Sequence, residues 1–274
     1  MREVLFCGAL TVIALALPAV AVPATDSGAI VLRCGALIDG VSARAMGPTV
    51  VVIEHGPITA VGPDATVPGG VRVVDLAGHT CLPGLIDTHT HLTMRPEESL
   101  DLSENYRRTE TQQAAISREH ARRTLLAGFT TVRDVGSYAA WADRAIRDEI
   151  NRGETPGPRM QVAGIYLTIP GGGGDLVIPG HPESEIPARV RVGVARGPEQ
   201  FRQKAELAVA GGADLLKVIA SGAVFSYGGM PGDPEMTPDE IVAVAKVAHR
   251  HGQHGGGDLA RVHFALLGDR HQRV

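Results

Sequence analysis

A chain of 274 residues with 44% hydrophobic and 20% charged residues carries enough apolar content for a sizeable core in one or two domains. Its net charge of −4, without a long basic run, argues against a nucleic-acid surface. Aromatic residues make up only 4%, which leaves few rings on which bases or sugars would stack.

Residues 1–21 stand apart from the rest. Arg2, offset by Glu3, precedes an apolar run from Val4 to Leu17, then Pro18 and the small triplet Ala19-Val20-Ala21. This is the layout of a secretory signal peptide cut after Ala21, with a second candidate cut after Ala24. The run is shorter than the roughly 20 residues of a membrane-spanning helix. The expectation is an exported protein, periplasmic or extracellular, with no membrane association once the signal is removed. Cys7 leaves with that segment. Cys34 and Cys81 would meet an oxidising compartment, but two cysteines do not specify a disulfide. The ordinary reading of each is a small buried apolar residue.

Between residues 22 and 80, short β-rich runs (Ala29 to Arg33, Thr49 to Glu54, Val71 to Leu76) alternate with turns. The turn signals are Gly-Pro at 56–57 and 62–63 and Pro68-Gly69-Gly70. Pro83-Gly84 then opens the stretch Leu85-Ile86-Asp87-Thr88-His89-Thr90-His91-Leu92, which reads as a buried strand. Side chains on a strand repeat every two residues, so Asp87, His89 and His91 are expected on one face. Two imidazoles at that spacing suit one cation, each about 2.0–2.1 Å from a zinc ion. Asp87 would hold the first imidazole in orientation. His-x-His alone also occurs in strands that bind nothing.

Pro-Gly-Leu-Ile-Asp-x-His-x-His as a whole resembles the first barrel strand of the amidohydrolase superfamily, metal-dependent hydrolases built on a TIM barrel. After a polar stretch to about Thr111, read as a loop and short helix, Gln112 to Leu126 is a helix closed by Gly128. Phe129 to Asp134 is a second strand, and Leu-Leu-Ala-Gly-Phe-Thr-Thr-Val-Arg-Asp-Val-Gly around it is again similar to that family. A helix from about Ala139 to Arg152 and a third strand from Arg159 to Leu167 follow. The run Gly171 to Gly174 lacks the lysine and hydroxyl of a P-loop and the spacing of a dinucleotide fingerprint, so it is expected to be a flexible rim loop. Relatives often carry a histidine in this run. This chain has none, which removes a candidate substrate contact.

A helix over Glu199 to Ala210 leads into Gly-Ala-Asp-Leu-Leu-Lys-Val-Ile-Ala-Ser-Gly, which sets Lys217 in the middle of an apolar strand. Burial disfavours the ammonium, and the neutral amine it favours can react with carbon dioxide. The alternative is a lysine that snorkels to solvent at a strand end. The motif resembles the branch that includes imidazolonepropionase-like proteins and Xaa-Pro dipeptidases, and in the dipeptidases this lysine is carboxylated and bridges two metals. Pro238 to His251 forms the next helix, with Thr237 as N-cap and Asp239-Glu240 in its first turn.

From Gln253 the text changes character. In place of a fifth apolar strand ending in a histidine, the chain reads Gln-His-Gly-Gly-Gly-Asp-Leu-Ala-Arg. The codons of Gly256 to Arg261, shifted by one base, can spell Ala-Ala-Thr-Ser-His-Gly, which is compatible with a frame slip near Gln253. The histidines after His251 then need no second metal site.

Taken together, the resemblance implies an α/β fold: a partial TIM (β/α)8 barrel of about four strand–helix units, preceded by a small β-sandwich portion. The expected boundaries are 1–21 signal peptide, 22–80 sandwich portion, 81–252 first half of the barrel and 253–274 a tail unlike the family. It also implies hydrolysis of a C–N bond in a small amide or dipeptide, most like an Xaa-Pro dipeptidase, with a cyclic amide as the alternative. His89, His91 and Lys217 would hold zinc, with two divalent metal ions expected in a full-length relative. No catalytic aspartate of the eighth strand is present, so the 274-residue chain is expected to be inactive, or a non-catalytic fragment. Oligomerisation is left open, and no nucleic-acid partner is expected.

Overall fold

The computed structural model describes residues 28–222, 227, 230–252 and, as backbone, 262–264. The expected signal peptide lies outside the described residues. The chain divides into two compact units, Met1–Pro83 and Gly84–Val274.

The first unit is one four-stranded mixed sheet. Its strands are β1 (Ala29–Leu37), β2 (Thr49–Glu54), β3 (Ile58–Gly62) and β4 (Arg72–Cys81), in the order β3-β2-β1-β4. β1 runs antiparallel to β2 and parallel to β4. Val31, Cys34 and Leu37 of β1 are buried, as are Val51 and Val52 of β2. Among the described residues there is one layer of sheet here. β3 was not among the expected strands, because its five residues lie between two Gly-Pro signals that read as punctuation. Where β1 and β4 shift register, an added Cβ on Gly35 would lie 2.1 Å from the Ala77 carbonyl oxygen, so only glycine fits. Cys34 and Cys81 form a disulfide with Cα atoms 5.8 Å apart. The reading of each as a lone apolar side chain is therefore corrected. What sequence spacing hides is the parallel β1–β4 pairing, which brings Cys34 of β1 close to Cys81 of β4 although they lie 47 positions apart.

The second unit alternates strands and helices. β5 (Leu85–Thr90), α1 (Glu104–Arg107), α2 (Glu110–Leu126), β6 (Phe129–Asp134), α3 (Ala142–Asn151) and β7 (Arg159–Val162) form its first half. β8 (Tyr166–Leu167), α4 (Gly197–Ala210), β9 (Leu216–Val218), α5 (Pro238–Gly252) and β10 (Val262–Phe264) form the second. All strand pairs are parallel, in the orders β5-β6-β7 and β8-β9-β10. Chain neighbours are sheet neighbours, as in a barrel wall. β7 and β8 are the two arms of the single strand expected over Arg159 to Leu167. They are parted at Gly164, which takes φ +76 and whose Cβ would lie 2.6 Å from the Trp141 ring. Trp141, half-buried, also fills the space over Gly211 and carries the Arg144 guanidinium 5.6 Å from its ring centroid.

Capping fixes the helix starts. Thr109 and Gln112 form a reciprocal capping box on α2. Thr237 caps α5 as expected: its Oγ1 accepts the Glu240 N–H at 3.3 Å, and Glu240 Oε2 accepts the Thr237 N–H at 2.8 Å. Glu240 Oε1 also accepts the Gly197 N–H at 2.7 Å, so one carboxylate serves the first turns of both α4 and α5. Leu167, Leu216 and Val218 pack against Phe201, Ala205, Val244 and Val247 of these helices. Val132 and Val162 pack against Ala121 and Ile146. These residues occupy the helix-facing side of the strands, so their sequence neighbours occupy the opposite, barrel-interior side.

β5 departs from the expected buried strand. Among the described residues it pairs with β6 alone, and Leu85 and Ile86 are exposed. The glycine run is also not a flexible loop. Gly171 N–H donates to Asp175 Oδ2, Gly172 N–H to Ile169 O, Gly173 N–H to Glu235 and Gly174 N–H to Thr168 Oγ1. Asp175 is held in turn by Arg191 at 2.6 Å. Each amide of the run is satisfied, which is the condition for burying it.

Candidate metal centre

Lys217 lies in the middle of β9 at 2% exposure, between Leu216 and Val218, which both face the helices. Its side chain therefore points to the barrel interior. In the parallel pairing of β8 with β9, Tyr166 stands opposite Lys217. On the other side of β9 the backbone of His263 stands opposite it. Burial lowers the Lys217 amine to about 8, far below an ordinary lysine.

His89 and His91 lie at the end of β5 with ring centroids 5.5 Å apart and planes at 76°. Their strand is not regular there: the register against β6 shifts between Asp87 and Thr90. Asp87 Oδ1 accepts the His89 backbone N–H at 3.0 Å, a local turn contact instead of the expected hold on the imidazole. Partial burial and the charge of Lys217 lower the pKa of His89, and Asp87 acts in the opposite sense. His91 is pushed down to about 4, chiefly by burial, with a contact to the Gly136 carbonyl opposing. The charge of Lys217 acts in the lowering sense on both imidazoles, after burial.

His91 Nδ1 lies 2.9 Å from Gly136 O. A carbonyl oxygen only accepts, so Nδ1 carries the proton and Nε2 keeps its lone pair. The set of donor types suits a divalent cation of the zinc type: two imidazoles with lowered pKa, one with its far nitrogen anchored to the backbone, and a buried amine whose pKa is lowered by that burial. Among the described residues no group of three or more His, Cys, Asp and Glu side chains adds to it.

The loops that follow the strands share a small core of their own, in which Leu102, Tyr138, Tyr166, Leu176, Ile178 and Ile219 are buried. Tyr166 links this core to the centre. Its hydroxyl donates to Gly136 O at 3.0 Å and lies 3.2 Å from His91 Nδ1. Burial holds the phenol protonated, well above its usual pKa. Sequence reading placed Tyr166 only as one residue of the third strand, since nothing local ties it to a histidine 75 positions away. Asp134, fully buried at the end of β6, accepts the N–H of Leu92 and of Gly136. Asp143, equally buried, accepts the N–H of Arg144 and of Gly164.

Parallel strand–helix units whose strands bury one face against the helices that follow them define a barrel-type α/β protein. The chain belongs to the amidohydrolase family, whose sequence profile matches residues 80–254. Over 246 residues it is 25% identical to ochratoxinase of Aspergillus niger, covering 84% of this chain and 50% of that protein. Among solved structures it resembles a Xaa-Pro dipeptidase with methionine bound in the active site, at 29% identity and a TM-score of 0.72 over 82% of this chain and 55% of the other. A prolidase complexed with N-methylphosphonate-L-proline gives 27% identity and a TM-score of 0.70, over 82% and 54%. The expected partial TIM barrel is thereby borne out. The chain spans about half the length of the relatives it matches.

Proposed function

We propose that the chain carries the first half of a metal-dependent hydrolase centre for C–N bonds of small amides, most like that of an Xaa-Pro dipeptidase, with His89, His91 and Lys217 as ligands. The single observation that carries this reading is a lysine at 2% exposure in the middle of β9, on the side of the strand turned away from the packed helices. Resemblance to solved Xaa-Pro dipeptidase and prolidase structures supports the substrate class. A bound zinc ion supplies Lewis-acid polarisation of a carbonyl and a lowered pKa for water.

The chain's own residues prepare the site. His91 presents Nε2 because Nδ1 is spent on Gly136 O. Lys217, with its amine near 8, is partly neutral at physiological pH. Its nitrogen lone pair adds to the carbon of carbon dioxide, an N–C bond forms, one proton passes to solvent, and the resulting carbamate is an anionic two-oxygen ligand. The substrate is a small molecule, a dipeptide or related amide.

Metal analysis and hydrolysis of a panel of Xaa-Pro dipeptides and cyclic amides test the reading on wild type and on His89→Ala, His91→Ala and Lys217→Ala. Zinc uptake by wild type and its loss in all three variants is expected. Uptake that survives the substitutions removes the ligand assignment. We also propose export with cleavage after Ala21, a reading that the Cys34–Cys81 disulfide supports. A mature N-terminus at Met1 or Arg2 in the native host would exclude it.

A further inference from the structure

We propose that the side of β6 and β7 turned away from the helices is a carboxylate-binding surface, with the Arg133 guanidinium as its anchor. Assigning that carboxylate to a dipeptide substrate rests on the hydrolase reading above; the surface itself does not.

Alternation along the strands fixes which side chains belong to it. Val132 of β6 and Met160 and Val162 of β7 are buried with Ala121 and Ile146 of the helices. Thr131 and Arg133 of β6, and Arg159 and Gln161 of β7, therefore lie on the other side. The parallel register sets Thr131 opposite Arg159 and Arg133 opposite Gln161, so the four form one contiguous patch. It holds two guanidiniums, an amide and a hydroxyl, and no carboxylate. Every one of these groups donates hydrogen bonds, and the guanidiniums accept none. In a chain with a net charge of −4, the patch is a local reversal of sign.

Arg159 has an internal partner, since its Nη2 donates to Thr131 Oγ1 at 3.3 Å. Arg133 is different. Its Nε is buried without a hydrogen-bond partner, and among the described residues no ion pair engages its guanidinium. By contrast, the half-buried Arg147 and Arg191 each hold a carboxylate at 2.6 Å. A buried charged donor left unbonded is costly, and an incoming anion recovers that cost. A carboxylate suits the planar fork best, because its two oxygens take two parallel N–H bonds.

The patch also adjoins the candidate metal centre. β5 and β6 are in register at Asp87–Val132 and again at Thr90–Asp134. Between these two rungs, Thr88 and His89 of β5 stand against Arg133 alone. A dipeptide anchored by its carboxylate on Arg133 thus lies beside the strand that ends at His89 and His91.

The test is 1H–15N NMR of the arginine Nε–H groups on the full chain, with the Arg133 signal assigned by its loss in Arg133→Lys. Glycyl-L-proline and glycyl-L-prolinamide are titrated at constant chloride and ionic strength. The acid is expected to shift the Arg133 Nε–H signal, and the amide is expected to leave it in place. Arg133→Met is expected to bind the acid roughly tenfold more weakly by calorimetry. No shift with the acid, or an equal shift with the amide, would overturn the proposal. Both outcomes are read on wild type, so they stand even if the Met variant fails to fold. A folded Met variant with unchanged affinity would overturn it as well. An acid-specific shift in a chain that takes up no zinc would support the surface and refute the metal-ligand reading.

Discussion

Asp134 Oδ2 accepts the backbone N–H of Leu92 at 2.6 Å, so the end of β6 grips the chain one residue beyond His91. The other oxygen accepts the N–H of Gly136, the same residue whose carbonyl anchors the His91 ring. Asp134→Ala leaves two amide groups without an acceptor in a buried place, at about 1–3 kcal/mol each. Urea denaturation is expected to show a loss of several kcal/mol. A loss below about 1 kcal/mol would mean that water replaces the carboxylate.

The two buried carboxylates give the second unit an unusual response to pH. Burial pushes Asp143 up to about 6, and burial together with the Asp143 charge raises Asp134. A carboxyl whose folded pKa exceeds its unfolded value of about 3.9 binds more protons folded than unfolded in the interval between them. Its contribution is complete below about pH 4 and is lost as pH rises through about 6. The stability difference between wild type and Asp143→Asn is expected to shift against wild type by roughly 2–3 kcal/mol from pH 4 to pH 7. A pH-independent difference would show that the pair ionises freely.

Lys217 acts in the other direction along the scale. Its folded pKa of about 8 lies below the model-peptide value of about 10.4. The metal-free fold therefore releases a proton that the unfolded chain keeps, and stability rises with pH between these values. Lys217→Met is expected to stabilise the metal-free chain at pH 7 by about 1–3 kcal/mol and to abolish that rise, while removing zinc uptake. Chemical denaturation at pH 7 and pH 10 in carbonate-free buffer measures both effects. Destabilisation by methionine at pH 7 would mean that the amine is already satisfied in the metal-free fold.

The disulfide closes 47 residues of the first unit. Loop entropy alone assigns such a crosslink about 4 kcal/mol, and a unit with a single described sheet has little else to replace it. The double variant Cys34→Ser and Cys81→Ser is expected to make residues 28–83 protease-sensitive at temperatures where wild type resists cleavage. Equal protection in both proteins would show that the sheet packing suffices.

What sequence reading could reach was set by range. His89, His91 and Lys217 stood out because a two-residue repeat and one charged residue in an apolar run are local signals, and the ends of β2 and β6 were legible from equally local ones. The Thr237 cap was legible for the same reason. The Cys34–Cys81 bond joins residues 47 positions apart and depends on the parallel pairing of β1 with β4. The order of the glycine run depends on Glu235, some 62 positions on. Tyr166 acquires its contacts only from a glycine carbonyl and a ring just beyond the ends of two other strands. Asp87 was misplaced because alternation assumes an unbroken strand, and the register against β6 shifts there.

Trp141, wedged over Gly164 and Gly211, is the single tryptophan in the sequence. Its indole emission is thus a built-in optical reporter for the second unit alone. Selective excitation near 295 nm would follow the β7–α3–α4 junction in real time. The first unit stays dark to that channel, so its own transitions, including any produced by reductant, would be seen by circular dichroism and not by fluorescence.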